Sequence, residues 1–264
     1  MRVEEYLRQG SVQEALQAAQ AQVRDKPADA GPRAVLFQLL AVAGEWERAL
    51  TQLQVLVDLD PKAMIMVRLY KPVLEAEASR QNIAAAKASP VIFGEPEPWM
   101  ATHTHGNSLA AACNYRDARQ CLEQARDAAP VRTGAINGAP FDWLADADPR
   151  FGPFLEAMVD GVYFWIPFFR IRQIRVQPPK HIRDLLWVPA GFVWTNGGEA
   201  PGFIFVRYPG TESQPGGELT LSRRTEWAEK ADGFAFGVGQ RLLATQAEDY
   251  PLLDIRTIEF AGSG

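Results

Sequence analysis

The 264-residue chain holds only two cysteines and three histidines. Each scarcity excludes something. Cys113 and Cys121 are expected on one helix, two turns or about 12 Å apart, too far for a disulfide. Two unpaired thiols in a chain of this size suit a reducing compartment, and the expected location is the cytoplasm. Only His181 falls in the C-terminal half, so a serine or cysteine triad there has a single candidate base. Nothing pairs with it by spacing, and Ser222 in "LSRR" lacks the G-x-S-x-G elbow. There is no G-K-[ST] phosphate loop. Gly237 and Gly239 in "GFAFGVGQR" lack the third glycine of a dinucleotide fingerprint. The longest apolar stretch, "GVYFWIPFF", is too short to span a bilayer, and "MRVEEYLRQG" has no signal-peptide core. A net charge of −5 carries no global nucleic-acid footprint. The expectation is a protein with no cofactor, no nucleic-acid partner and no membrane insertion.

What is present is a repeat. "GSVQEALQAAQAQVRDKP" (10–27) aligns with "GEWERALTQLQVLVDLDP" (44–61) at an offset of 34 residues. Gly10 matches Gly44, Ala15 matches Ala49, and Pro27 matches Pro61. A third copy, "CNYRDARQCLEQARDAAP" (113–130), carries Tyr115, Ala118 and Pro130 in the corresponding slots. This resembles the tetratricopeptide repeat, two antiparallel helices per 34 residues. A small alanine lets helices approach, and a proline ends the second helix because it cannot extend the hydrogen-bond ladder. The pattern predicts helices near 12–25, 31–43, 46–58, 62–88 with a kink at Pro72, 98–111 and 115–128. The loop "KASPVIFGEPEP" (87–98) interrupts the array.

Beyond Pro130 the apolar period shortens. "GVYFWIPF", "QIRVQ", "GFVWTN", "PGFIFVRY", "ELTLSRR", "QRLLATQ" and "LLDIRTIEF" read as strands. "TNGGEAPG" is a hairpin connection between two of them. One helix is expected near 149–159. The chain is therefore read as α+β: a tetratricopeptide-like helical domain over 1–130, then a β-rich domain over 131–264 with a curved antiparallel sheet or barrel.

Several clusters are candidate sites. Asp142, Asp146 and Asp148 are the carboxylates on which a metal-dependent or phosphotransfer enzyme would be built. Their spacing does not fit a calcium loop, and Asp148 before Pro149 reads better as a helix N-cap. His103 and His105 in "THTH" read as exposed residues at a helix start. "RIRQIRVQPPKHIRD" (170–184) is the one basic cluster. Its Arg170, Arg172 and Arg175 could grip phosphates, and a charged strand edge is the simpler reading.

The longer motifs "FDWLADADPRFGP", "GVYFWIPF", "IRDLLWVPA", "VRYPG", "RRTEW", "GQRLLATQ", "LLDIRTIEF" and "SPVIFGEPEPW" are similar to those of the ImpE family, the TagJ or SciE type. The resemblance implies a non-enzymatic accessory protein of type VI secretion. It implies as partners the N-terminal helix of the small sheath subunit and the AAA+ ATPase that disassembles the sheath. A partner helix needs an apolar groove, and aromatics dominate interface hot spots. Candidate partner-binding residues are Trp99, Trp165, Trp187 and Trp227, with Arg183, Arg207, Tyr208 and Arg241. The competing expectation puts most of these tryptophans in the core. It places Arg183, Asp184, Arg207, Tyr208, Glu226 and Arg241 in a buried network.

Overall fold

The computed structural model describes residues 2–262. Seven helices come first: α1 Val3–Arg8, α2 Val12–Asp25, α3 Ala30–Val42, α4 Trp46–Leu59, α5 Met64–Ala84, α6 Pro98–Ala111 and α7 Tyr115–Ala128. The expected spans hold to within a few residues, and α1 is an addition. Ala15, Ala49 and Ala118, the small slots of the three aligned segments, are fully buried. The run "ATHTHGNSLAAA" forms α6 and packs on α7. A β-carbon at Gly106 would sit 2.8 Å from Leu122 Cγ, so glycine there lets the two helices touch.

Four helices end alike. Gly10, Gly44, Ala86 and Cys113 all have positive φ, at +75°, +75°, +53° and +61°. The next N–H in each case returns to a carbonyl five residues back: Ser11 to Tyr6, Glu45 to Leu40, Lys87 to Asn82 and Asn114 to Leu109. This is the left-handed helix cap that glycine suits best. Cys113 therefore lies in the turn before α7 and not on one helix with Cys121, which corrects the shared-helix expectation. Both thiols are free. A β-carbon in this conformation costs roughly 1–2 kcal/mol, partly offset by the entropy glycine restores to the unfolded chain. Cys113→Gly is expected to raise stability by about 0.5–1 kcal/mol, seen as a higher urea midpoint at unchanged slope.

The strands follow: β1 Gly134–Ile136, β2 Ala139–Phe141, β3 Ala145–Asp146, β4 Phe154–Val159, β5 Val162–Pro167, β6 Ile171–Val176, β7 Trp187–Trp194 and β8 Glu199–Phe205. After these come β9 Thr225–Ala231, β10 Phe234–Gly239, β11 Leu242–Ala244, β12 Asp249–Pro251 and β13 Thr257–Phe260. Eight form an antiparallel sheet in the order β2-β1-β13-β6-β7-β8-β4-β5. β9 and β10 make a separate hairpin, and β12-β11-β3 a small third sheet. The "TNGGEAPG" hairpin joins β7 to β8 as expected.

Three sequence expectations fail here. "ELTLSRR" opens with a single helical turn, Gly217–Thr220, and is not a strand. Residues 154–159 are a strand, not part of a helix. Every residue of β4 is buried, which needs cover on both faces, and Pro149, Gly152 and Pro153 break any helix before it. Phe154 and Met158 face the core shared with the helices, whereas Leu155, Ala157 and Val159 face the opposite core. The basic strand β6 is interior, between β13 and β7, so it is not a strand edge. Its Arg172 and Arg175 are three residues apart, and both are exposed because a register shift between Ile171 and Gln173 breaks the strict alternation. Arg170 is tied down instead, donating to the carbonyls of Phe93 and Glu95.

A buried ionic network and two surface clefts

α5 lies against the sheet through Tyr70, Val73, Leu74, Glu77 and Arg80, all buried. The apolar stripe thus continues into two charged side chains. Arg80 donates to Glu77 at 2.8 Å and to both oxygens of Glu156 on β4 at 3.0 and 2.9 Å. It also reaches the carbonyl of Arg207 at 2.7 Å. Trp187 on β7 donates its indole N–H to Glu77 at 2.7 Å. Glu156 further accepts from Arg241 and from the Tyr163 hydroxyl, and Trp165 donates to that hydroxyl at 2.7 Å.

Arg241 bridges Glu156 to Asp146 and lies over the Phe151 ring at 4.4 Å. Asp146 also accepts from the Asp148 N–H and the Tyr208 hydroxyl, each at 2.9 Å. Asp148 holds Arg150 at 2.6 Å and accepts the Gly237 N–H at 2.6 Å. It caps a turn at 148–152, not a helix, so the N-cap expectation is corrected: Pro149 starts a turn that Gly152 ends at φ +46°. A β-carbon on Gly237 would lie 2.3 Å from the Tyr208 ring.

Burial sets the electrostatics. Burial opposes ionisation of Glu156, but Arg80 and Arg241 overcome it and hold the carboxyl at about 2. Asp146 is lifted to about 7, by burial and by Asp148, with Arg241 pulling back. Arg207 is brought down to about 10 by burial. It donates to the carbonyls of Val42 and Thr220, at 2.9 Å each. His103 is buried, not exposed; its Nε2 contacts the Arg150 carbonyl at 2.9 Å. Burial lowers it to about 4. His105 is exposed as expected.

The three aspartates do not converge. Asp142 is exposed while Asp146 and Asp148 are enclosed in ion pairs. Among the described residues no three His, Cys, Asp or Glu side chains group as metal ligands. Trp99, Trp165 and Trp187 are in the core, as are Arg207, Tyr208 and Arg241. They are therefore not presented at the surface. Arg183 donates to the Tyr70 hydroxyl at 2.8 Å and covers that ring. Asp184 is buried, accepting the N–H groups of Lys180 and His181 at 2.8 and 2.9 Å. Glu226 is outside the network, paired at the surface with Arg224. The sequence reading missed Glu77, Arg80, Glu156 and Tyr163. The available signal was a charged pair falling on the buried stripe of α5.

Trp227 remains exposed, at 42%. It lines a cleft of about 450 Å³ with Leu122, Pro149 and Phe234, where α7 meets the β9–β10 hairpin. A second, apolar cleft of about 320 Å³ lies beside it, walled by Val131, Trp143, Phe168 and Phe260. None of the helices among the described residues is long and apolar enough to cross a membrane.

Helices fastened to one face of an open antiparallel sheet by enclosed ion pairs define an α+β scaffold. The ImpE protein family matches residues 138–259. Type VI secretion system accessory component TagJ of Pseudomonas aeruginosa is 42% identical over 260 residues, covering 98% of this chain and 91% of TagJ. The chain belongs to the ImpE family. The crystal structure of a Vibrio parahaemolyticus protein has the same fold. It superimposes with a TM-score of 0.90 over 99% of this chain and 98% of that one, at 22% identity.

Proposed function

We propose that the chain is a non-enzymatic accessory protein of a type VI secretion system, acting in the cytoplasm. In this reading it is an adaptor between the N-terminal helix of the small sheath subunit and the sheath-recycling AAA+ ATPase. The kinship with TagJ supports the system. The observation that supports an adaptor is the fate of the polar groups: Asp146 and Glu156 are enclosed with Arg241, Glu156 also with Arg80, and Asp148 with Arg150. Apolar surface, by contrast, is left outside at Trp227, Trp143 and Val131. The reading takes 1–130 as a tetratricopeptide-like domain and 131–264 as the β-rich one. Trp227 is its partner-binding residue among those named from the sequence.

Calorimetric titration of the full chain with a peptide of the sheath subunit's N-terminal helix is expected to give saturable binding in the micromolar range. A peptide with its apolar stripe replaced by serine is expected to give none. No heat with the native peptide at high micromolar concentration would end the adaptor reading.

A further inference from the structure

α5 is the helix without a following partner. α5 packs back on α4, but no helix follows to cover its other side: the chain runs as turn and loop to residue 97. Its outward face is nevertheless patterned for a neighbour. Ile65, Leu69, Pro72, Ala76, Ser79 and Ile83 recur at i, i+4, i+7, i+11, i+14 and i+18, the spacing of one helical stripe, with Ala76 buried at the base of the groove it enters. At the N-terminal end this stripe is bare: Ile65 is 70% exposed, Leu69 48% and neighbouring Met64 42%. Farther along it becomes one wall of a groove of about 400 Å³. The opposite wall is Met158, Val162 and Tyr163 of the β4–β5 hairpin, with Val91. Val91 and Val162 are 53% and 46% exposed. Five of the eight large apolar side chains exposed among the described residues therefore lie along this strip, and such concentration marks an interaction surface.

Charge narrows the occupant. The chain as a whole carries −5, yet along α5 itself the exposed charges are Arg68 and Lys71 against Glu75. Lys71 meets Glu75 only at 3.9 Å, and Arg68 makes no ion pair among the described residues. The occupant is therefore apolar on one side and acidic at its flanks. Its length follows from the stripe: 18 residues of α5 rise about 27 Å, five turns. A concave slot between a helix and a hairpin fits a rod and not a planar lipid surface. An added strand is disfavoured because residues 91–93 already bond to the edge strand β5 at Trp165, at 2.9 and 3.0 Å.

The geometry points to α5 as a docking helix: an acidic, amphipathic partner helix of about five turns lies along the Ile65–Ile83 stripe, where a paired helix would sit. This rests on the adaptor reading for the identity of that helix, the N-terminal helix of the sheath subunit.

The test is peptide titration against the wild-type chain and three variants: Leu69→Asp, the double variant Arg68→Glu/Lys71→Glu, and Arg24→Glu at an exposed position of α2. Leu69→Asp is expected to weaken binding at least tenfold. The charge reversal is expected to weaken it at low salt and much less at high salt. Arg24→Glu is expected to leave binding unchanged. Residues 68, 69 and 71 are exposed, so melting curves within about 2 °C of wild type are expected and confirm folding. Should Leu69→Asp misfold, the double variant decides alone. Binding by wild type that both α5 variants retain overturns the α5 surface and leaves the adaptor reading standing. Absence of binding by wild type overturns both. Wild type that binds phosphatidylglycerol vesicles but not the peptide, with vesicle binding lost in the α5 variants, assigns the strip to lipid and also overturns the proposal.

Discussion

Arg241→Met is expected to destabilise the protein by about 3–5 kcal/mol, the range for removing one member of a buried charge cluster. Arg241 is fully buried and joins Asp146 to Glu156. Methionine fills most of the space but leaves two carboxylates enclosed with less counter-charge. Glu156 keeps Arg80, whereas Asp146 keeps only neutral donors, the Tyr208 hydroxyl and the Asp148 N–H. Asp146 is therefore the group most harmed. Adding Asp146→Asn to Arg241→Met is expected to recover part of the loss, because the amide needs no counter-ion. For a chain of this size each kcal/mol moves the melting temperature by about 2–4 °C, so the single variant should melt roughly 10 °C lower. A drop under about 2 °C would show that the network does not fasten the helices to the sheet.

His103→Gln is expected to change how stability depends on pH. His103 titrates at about 4 when folded and 6.5 when free. Between those values the unfolded chain binds more protons, so acidification removes stability. Full protonation amounts to about 3 kcal/mol at 1.36 kcal/mol per pH unit. Asp146 has the opposite sign. Folded at about 7 against 3.8 free, it binds more protons in the folded state and adds stability as pH falls through that window. The two nearly cancel in the wild type, which should hold its stability down to about pH 4.5. Below that, protonation of Glu156, held at about 2 against a usual 4.5, removes support from Arg80 and Arg241. Glutamine can keep the bond to the Arg150 carbonyl without titrating. The wild-type advantage over His103→Gln should therefore shrink by about 3 kcal/mol between pH 7.5 and 4, measured from urea midpoints. A pH-independent difference would mean that His103 takes up its proton freely in the fold.

The helices were legible because their signals are local. The alanines and prolines of the 34-residue repeat put α2, α4 and α7 within a residue of their observed bounds. β4 was misread because "FLEAMV" is buried on both faces, with Glu156 its one charged residue, and a strand covered on both sides loses the alternation that identifies it. β6 looked like an edge because its arginines are exposed, but side-chain exposure says nothing about which backbone pairs with it. His103 was placed outside because nothing in "THTH" shows that the Arg150 carbonyl waits across the fold. The network was half visible. Tyr208, Arg207 and Arg241 stood out as polar words in apolar surroundings. Their partners Arg80 and Glu156 lie 76 residues from each other, and sequence spacing carries no trace of that meeting.

One core cluster contains Leu16, Leu53 and Val73 from the helices together with Phe154, Trp187 and Phe205 from the strands. The boundary near residue 130 is thus a change of texture and not a seam. A gene cut there would yield two fragments, each with half an oily interface and half a set of stranded charges. Neither piece is expected to hold its shape alone, so the two textures are expected to melt together.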